Sequence, residues 1–239
     1  MNTSPPTPWS VLITAEHGGN DVLPEYRALF RGHQATLRSH RGWDPGTRIL
    51  ADLLGARLQA PVIASDVTRL LIDLNRSAHN PRVFSEITRS LPRSERAALL
   101  EHLHRPHWDA ARGAASRAIS ESGRVLHLGI HSFTPQLDGK VRKADLALLY
   151  DPSRPSERKL ATTWAEALAL ALPDRVVRRN NPYRGDADGM TTAFRRAFPA
   201  ARYLGLEIEV NQRHVGRDGS FPPWVAQALL GTLPALLGR

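Results

Sequence analysis

Two histidines follow short apolar runs of the sequence, a position in which imidazole side chains are suited to hold a metal ion. His17 comes after Val11-Leu-Ile-Thr-Ala-Glu and precedes two glycines, and His131 ends the run Val125-Leu-His-Leu-Gly-Ile. Each run is typical of a buried strand, and α/β sheets bind their ligands at the carboxyl ends of strands. Two imidazoles at that edge match a zinc site with an open coordination position. The pair therefore predicts a metal-dependent hydrolase.

Two carboxylates, Glu207 and Glu209, interrupt the apolar run from Arg202 to Gln212. They are two positions apart, so in a strand both point to one face while the apolar residues between and beside them point to the other. A carboxylate in a buried strand is unfavourable unless it is paired or functional. If the strand ends beside the metal, Glu209 is the general base that takes a proton from water. The alternative is an edge strand whose glutamates are solvated or paired with arginine.

A further polar cluster, Asp73-Leu-Asn75-Arg76, ends another apolar segment. Asp73 is suited to accept a hydrogen bond from a zinc-bound imidazole and so to fix its tautomer. The planar guanidinium of Arg76 matches a substrate carboxylate, and Asn75 offers another donor. The alternative is a helix cap with a surface salt bridge. The loop of residues 180–189, which carries Tyr183, is interpreted either as a mobile lid over the substrate or as an ordinary loop.

The elements that must position these residues alternate between strands and helices, which predicts one α/β domain over residues 1–239. Its sheet is expected to be mixed and mostly parallel, with helices on both faces. Asp44 and Pro45 are expected to open a helix, with Asp44 as the N-cap. Two separate helices are predicted later, over Ser94–Leu103 and His107–Ser120.

The composition limits the class of protein. No cysteine is present, so a zinc ion must be held by nitrogen and oxygen atoms. The net charge is +9, but the arginines are scattered and aromatic residues make up only 6%, which favours a small anionic substrate over nucleic acid. No window approaches the roughly 18 apolar residues of a membrane span, and the N-terminus lacks a signal-peptide pattern. A cytoplasmic protein that does not bind membranes is expected.

A series of short motifs extends over almost the whole chain. They are Glu16-His-Gly-Gly-Asn20 followed by Pro24, Trp43-Asp-Pro-Gly46, Thr68 to Arg76, His131-Ser-Phe-Thr-Pro135, Arg142, Tyr150-Asp151, Asn181-Pro-Tyr183 and Ile208-Glu-Val-Asn-Gln212. In this order they resemble the N-formylglutamate amidohydrolase family, which is similar to the zinc carboxypeptidases and aspartoacylases. The resemblance implies a zinc-carboxypeptidase-like fold and hydrolysis of a small N-acyl amino acid such as N-formylglutamate.

The resemblance also implies the metal ligands. His17 and His131 would bind zinc, and Asp73 would orient one of the two rings. The third ligand of the zinc carboxypeptidases is a glutamate three residues after the first histidine, and this chain has Asn20 there. Asn20 is taken as the third ligand, with Asp73, Glu16 or water as the alternatives.

The remaining implied roles concern the reaction. Glu209 would be the catalytic base, while Asn75 and Arg76 would bind a substrate carboxylate, with Arg69 as a further candidate for that contact. Arg142 would stabilise the tetrahedral oxyanion or bind a second carboxylate.

Two alternatives to a zinc amidohydrolase stay open. One is a peptidase or peptidoglycan amidase with the same site. The other is a non-catalytic protein that has lost tight metal binding and binds an acidic metabolite through the same pocket.

Overall fold

The computed structural model describes residues 9–237, and a six-stranded sheet is the central element of this part of the chain. The strands are Ser10–Ala15 (β1), Val62–Ala64 (β2), Val125–Phe133 (β3), Gln136–Leu137 (β4), Lys140–Val141 (β5), Leu146–Leu149 (β6), Val177–Arg179 (β7) and Tyr203–Asn211 (β8). Strands β4 and β5 form a small antiparallel hairpin outside the main sheet.

The main sheet has the strand order β2-β1-β3-β8-β6-β7. Every neighbouring pair is parallel except β8 with β6, which run antiparallel. This confirms the predicted α/β class with a mixed, mostly parallel sheet. Because β1, β3 and β8 are adjacent and parallel, their carboxyl ends meet at one edge of the sheet.

Helices cover both faces of this sheet, as predicted. The α-helices are Gln34–Arg38 (α1), Thr47–Leu58 (α2), Arg93–Leu99 (α3), Arg105–Ser122 (α4), Pro155–Ala171 (α5), Met190–Ala197 (α6) and Pro223–Leu236 (α7). Helices α2, α5 and α7 pack on one face, where Leu54 and Trp164 belong to the larger apolar core. Helices α4 and α6 pack on the other face through a smaller core that contains Trp108 and Phe194.

The predicted break between two helices near residue 105 is not found. Helix α3 continues through a π-helical turn, Leu100–His104, directly into α4. Pro106 lies in the first turn of α4, and a proline cannot donate the hydrogen bond that a helix interior requires. The wider π turn just before it changes the hydrogen-bond spacing at this point and allows the helix to continue.

The segment before Asp73 is not a strand. It follows an irregular path, and Leu71, Ile72 and Leu74 pack with Phe30 in a third apolar cluster beside the sheet. This cluster fixes the segment that carries the predicted substrate-binding residues. Among the described residues, no helix is long and apolar enough to cross a membrane.

Candidate active site

The two histidines predicted to bind metal lie together at the carboxyl edge of the sheet. His17 follows β1 and His131 lies near the end of β3, and the centroids of their rings are 5.3 Å apart. Both side chains are buried. The parallel pairing of β1 with β3 explains the arrangement, since it carries both strand ends to the same edge.

Asp44 stands between the two rings. Its Oδ2 atom is 3.1 Å from Nδ1 of His131 and 3.5 Å from Nδ1 of His17, and it accepts the N–H of Ser132 at 3.3 Å. The prediction that Asp44 is an N-cap is therefore wrong. Helix α2 begins at Thr47, with Gly46 as the N-cap in the left-handed conformation at φ 84°. This conformation, which glycine adopts without strain, turns the chain so that the Asp44 side chain points into the site.

Asp73 holds His17 from the other side. Its Oδ1 atom is 2.7 Å from Nε2 of His17, which leaves Nδ1 of that ring without a hydrogen-bond partner among the described residues. Arg69 donates to Oδ2 of Asp73 at 2.9 Å and to Oδ1 of Asp44 at 3.3 Å. Burial alone would raise the pKa of both carboxyls, but the cations around them hold each pKa well below its usual range.

The residues present fit a divalent metal ion. One ligand atom each from His17, Asp44 and His131 lies within 4.8 Å of the others, and all three residues are buried. Two imidazole nitrogens and a carboxylate oxygen are a donor set that zinc accepts, and a buried imidazole nitrogen without a partner is suited to a ligand. Burial alone would lower the pKa of His131, but its hydrogen bond to Asp44 and the charge of Glu16 raise that pKa to about 10.

Glu209 lies beside this group because it is the register partner of His131 on β8. It is buried, and its Oε2 atom has no hydrogen-bond partner among the described residues. Burial, together with the charges of Asp44 and Glu207, raises the pKa of Glu209 to about 8. Glu207, two positions earlier on the same face, accepts a hydrogen bond from the Thr191 hydroxyl at 2.9 Å.

A cavity of about 390 Å³ opens over these groups, a size in the usual range for small-ligand sites. Its lining combines the histidines and acids with the cations Arg69, Arg76 and Arg184. The arrangement brings together a possible metal site, a buried carboxylate that can exchange a proton near neutral pH, and cations that attract an anionic ligand.

Residues 9–215 match the model of the N-formylglutamate amidohydrolase family. The chain belongs to this family. A gene product of Agrobacterium tumefaciens has a similar structure, with a TM-score of 0.72 and 27% identity over 96% of this chain and 89% of that chain. An N-formylglutamate amidohydrolase from Ralstonia eutropha JMP134 shares the fold, with a TM-score of 0.70 and 19% identity over 96% of this chain and 92% of that chain. Among curated proteins, none matches the sequence significantly.

Membership in the N-formylglutamate amidohydrolase family confirms the predicted resemblance and makes the chain a hydrolase of amide bonds. Two predicted substrate-binding residues line the cavity beside the histidines. Asn75 accepts the N–H of Met190 through Oδ1 at 3.0 Å, and its Nδ2 lies 3.4 Å from Nε2 of His131. Arg76 donates through Nη1 to the carbonyl of Asp188 at 2.5 Å.

The segment that carries Asn75 and Arg76 is hydrogen-bonded to the continuous helix formed by α3, the π turn and α4. His104, in the π turn, bonds through Nε2 to the carbonyl of Arg76 at 2.7 Å. Trp108, one turn further, donates to the carbonyl of Leu74, also at 2.7 Å. The two rings stack on each other with centroids 5.0 Å apart.

Tyr183 is a partly exposed residue of the cavity lining, and Arg142 contacts it. Tyr183 is 41% exposed. Arg142 donates to the Tyr183 hydroxyl at 2.8 Å and covers its ring, but it is not among the lining residues. The loop of residues 180–189 is attached rather than loose, because Asp188 accepts the Ser77 N–H and Arg195 donates to the Gly185 carbonyl.

Asn20, the residue predicted as third ligand, faces away from this group. Its side-chain amide donates to the carbonyl of Leu37 at 3.3 Å, and it does not line the cavity. Asp44 occupies the place between the histidines instead. The sequence contains a signal for it, since Asp44 lies within one of the family motifs, but an aspartate before a proline also has the local pattern of a helix cap. His40, which also lines the cavity, had no signal in the sequence.

Proposed function

We propose that the protein is a zinc-dependent amidohydrolase that removes the formyl group from an N-formyl amino acid with an acidic side chain, such as N-formylglutamate. The observation that carries this proposal is the buried group of His17, Asp44 and His131 with Glu209 beside it, open to a small cavity. Family membership supports the amide as the bond that is cleaved. The cations around the cavity support an anionic substrate.

Zinc held by the two imidazoles and Asp44 would polarise the acyl carbonyl and lower the pKa of water. Glu209 accepts a proton from the attacking water and passes it to the amide nitrogen as the carbon–nitrogen bond breaks. One water is consumed, and the products are formate and an amino acid with a free amino group. The position of Glu209 supports this role, because the carboxyl is buried beside the candidate ligands and its Oε2 atom has no hydrogen-bond partner among the described residues.

Different polar side chains bind different parts of the substrate. Arg76 and Asn75 bind the α-carboxylate of the substrate at the side of the cavity next to the histidines. Arg69 keeps Asp44 and Asp73 ionised and offers a further contact to the same carboxylate. Arg142, held over Tyr183, binds the second carboxylate of an acidic side chain rather than the oxyanion.

The test is metal analysis of the purified protein combined with a hydrolysis panel. The panel contains N-formylglutamate, N-acetylglutamate, a glutamyl dipeptide and a muramoyl-peptide amide, each with and without added zinc. We expect about one zinc per chain and fastest release of amino acid from the N-formyl substrate. Fastest cleavage of the dipeptide or the muramoyl amide would instead show a peptidase or a cell-wall amidase. Tight binding of N-formylglutamate with no product would show a non-catalytic binding protein.

A further inference from the structure

Glu16 lies on the Nε2 side of His131, as Asp73 lies on the Nε2 side of His17, but at a longer distance. Its Oε2 atom is 3.5 Å from Nε2 of His131, and the two side chains are 1% and 5% exposed. We propose that Glu16 is the positioning residue of His131. It accepts a hydrogen bond from the Nε2–H group of the ring, and this orients Nδ1 toward the metal. This inference rests on the zinc site of the proposed function.

The two nitrogens of His131 have different surroundings. Nδ1 faces Asp44, on the side of the candidate ligands, while Nε2 faces Glu16. An imidazole that binds a metal through Nδ1 carries its proton on Nε2, and in a buried site that N–H requires an acceptor. Oε2 of Glu16 has no hydrogen-bond partner among the described residues, so it is available as this acceptor.

Asn75 also approaches Nε2 of His131, but it is arranged as a donor. Its Nδ2 atom is the one that lies 3.4 Å away, while its Oδ1 atom accepts the backbone N–H of Met190. Turning the amide over would break the bond to Met190, so Asn75 does not offer its oxygen to the ring. Glu16 is therefore the group that can accept a hydrogen bond from Nε2–H of His131.

Buried polar groups behind Glu16 are compatible with an acceptor role. The Thr14 hydroxyl oxygen lies 2.9 Å from Nε2 of His127, and Nδ1 of His127 lies 2.7 Å from the Tyr203 hydroxyl. With Tyr203 as the donor to Nδ1, Nε2 carries the ring proton and donates to Thr14, which leaves the Thr14 proton available to the carboxylate of Glu16.

Because Gly129 has no side chain, it leaves room for His131 to approach Glu16. It lies two positions before His131 on the same face of β3, opposite Glu207. A Cβ at this position would lie 3.4 Å from Nε2 of His131 and 3.3 Å from Cγ of Glu207. A side chain here would therefore crowd the edge of the ring that faces Glu16.

The test measures zinc affinity by competition with a chromophoric chelator in Glu16→Gln, which keeps the shape of the side chain and removes its charge. We expect the dissociation constant of zinc to rise roughly 10–100-fold, the usual effect of losing a group that orients a ligand. Bound Co²⁺ should show a shifted visible spectrum, because the His131 ring is no longer fixed. Asp73→Asn is the positive control, since Asp73 has the same relation to His17.

The matched control is Glu207→Gln, which removes a negative charge that also acts on His131 but whose carboxylate is bonded to Thr191. This variant should bind zinc as the wild type does. Unchanged zinc affinity in Glu16→Gln, or an equal loss in Glu207→Gln, would overturn the inference while leaving the proposed function intact. A wild-type protein that binds no zinc would overturn both. The unfolding midpoint of each metal-free variant is also measured, to establish that the zinc affinity was determined on folded protein.

Discussion

His131 and Glu209 occupy directly opposed positions on the parallel strands β3 and β8. Their side chains point to the same face of the sheet, so the strand register alone places the candidate base next to a candidate metal ligand. A slip of one residue in this pairing would turn Glu209 to the opposite face. The apolar residues that alternate with both side chains, such as Ile130 and Ile208, are fully buried in the larger core and fix the register.

Replacing Glu209 with Gln should abolish hydrolysis without releasing the metal. The amide has the same shape as the carboxyl group but cannot take a proton from water, so we expect kcat to fall by roughly 10²–10⁴-fold. The measurement is product formation with zinc content determined on the same sample. A variant that hydrolyses N-formylglutamate at the wild-type rate would show that another group is the base.

The stability of the metal-free protein should depend on pH through Glu209. Its pKa is about 8 in the folded chain, against 4.5 for a free glutamate. The folded state therefore binds more protons between these values, and the free energy of unfolding contributed by Glu209 decreases as the pH rises from about 4.5 to 8.

Denaturant unfolding in the presence of a chelator, at the two ends of this pH range, tests that contribution. We expect the wild type to lose more stability toward pH 8 than Glu209→Gln, with up to about 1.4 kcal/mol for each unit of pKa shift. The difference between the two curves reports Glu209 together with its coupling to the charge of His131. Parallel curves for the two proteins would contradict the prediction.

Asp44, and not Asn20, should control metal binding. Asp44→Asn weakens a candidate ligand that lies between both imidazoles, so its zinc affinity should fall by more than the roughly 10–100-fold typical of orienting groups. Asn20→Ala is the matched control, because that side chain donates to the Leu37 carbonyl. Chelator competition on both variants decides the question. A larger loss of zinc affinity in Asn20→Ala would show that Asn20 is a metal ligand, as predicted from the sequence.

Removing the Arg76 guanidinium should weaken substrate binding more than turnover. A charge-assisted hydrogen bond is worth about 1.5–3 kcal/mol, so we expect Arg76→Ala to raise KM by roughly 10–100-fold with kcat little changed. Steady-state kinetics with N-formylglutamate and with its α-carboxamide provide the measurement, and the variant should no longer distinguish the two. Arg184→Ala is the control, since Arg184 lines the cavity but is paired with Asp186. An equal effect in both variants would show that the overall positive charge of the cavity, and not a specific contact of Arg76, attracts the substrate.

The strands that form the site were predictable because their composition is unusual. The runs before His17, His131 and Glu209 are mostly apolar, which is typical of strands buried on both faces of a sheet. Their order in the sheet brings the three residues together, and the family motifs indicated the same set.

The position of Asp44 was not predictable from local pattern. An aspartate before a proline has the local signature of a helix N-cap, whereas the partner that determines its conformation, His131, is 87 residues away in the chain. The continuous helix through residues 93–122 was not predicted for a related reason: His104 in its π turn and Trp108 just after it are hydrogen-bonded to a distant segment of the chain. Contacts of this kind are decided by tertiary structure.

Those two bonds have a consequence for how this scaffold can change. His104 and Trp108 grip the main-chain carbonyls of Arg76 and Leu74, and a carbonyl is the same group whatever side chain its residue carries. These two bonds do not depend on the side chain at position 76, and a substitution there would remove only the bond from that side chain to the Asp188 carbonyl. A side chain that recognises a different substrate can therefore be introduced at position 76 while the main-chain bonds to the helix are kept.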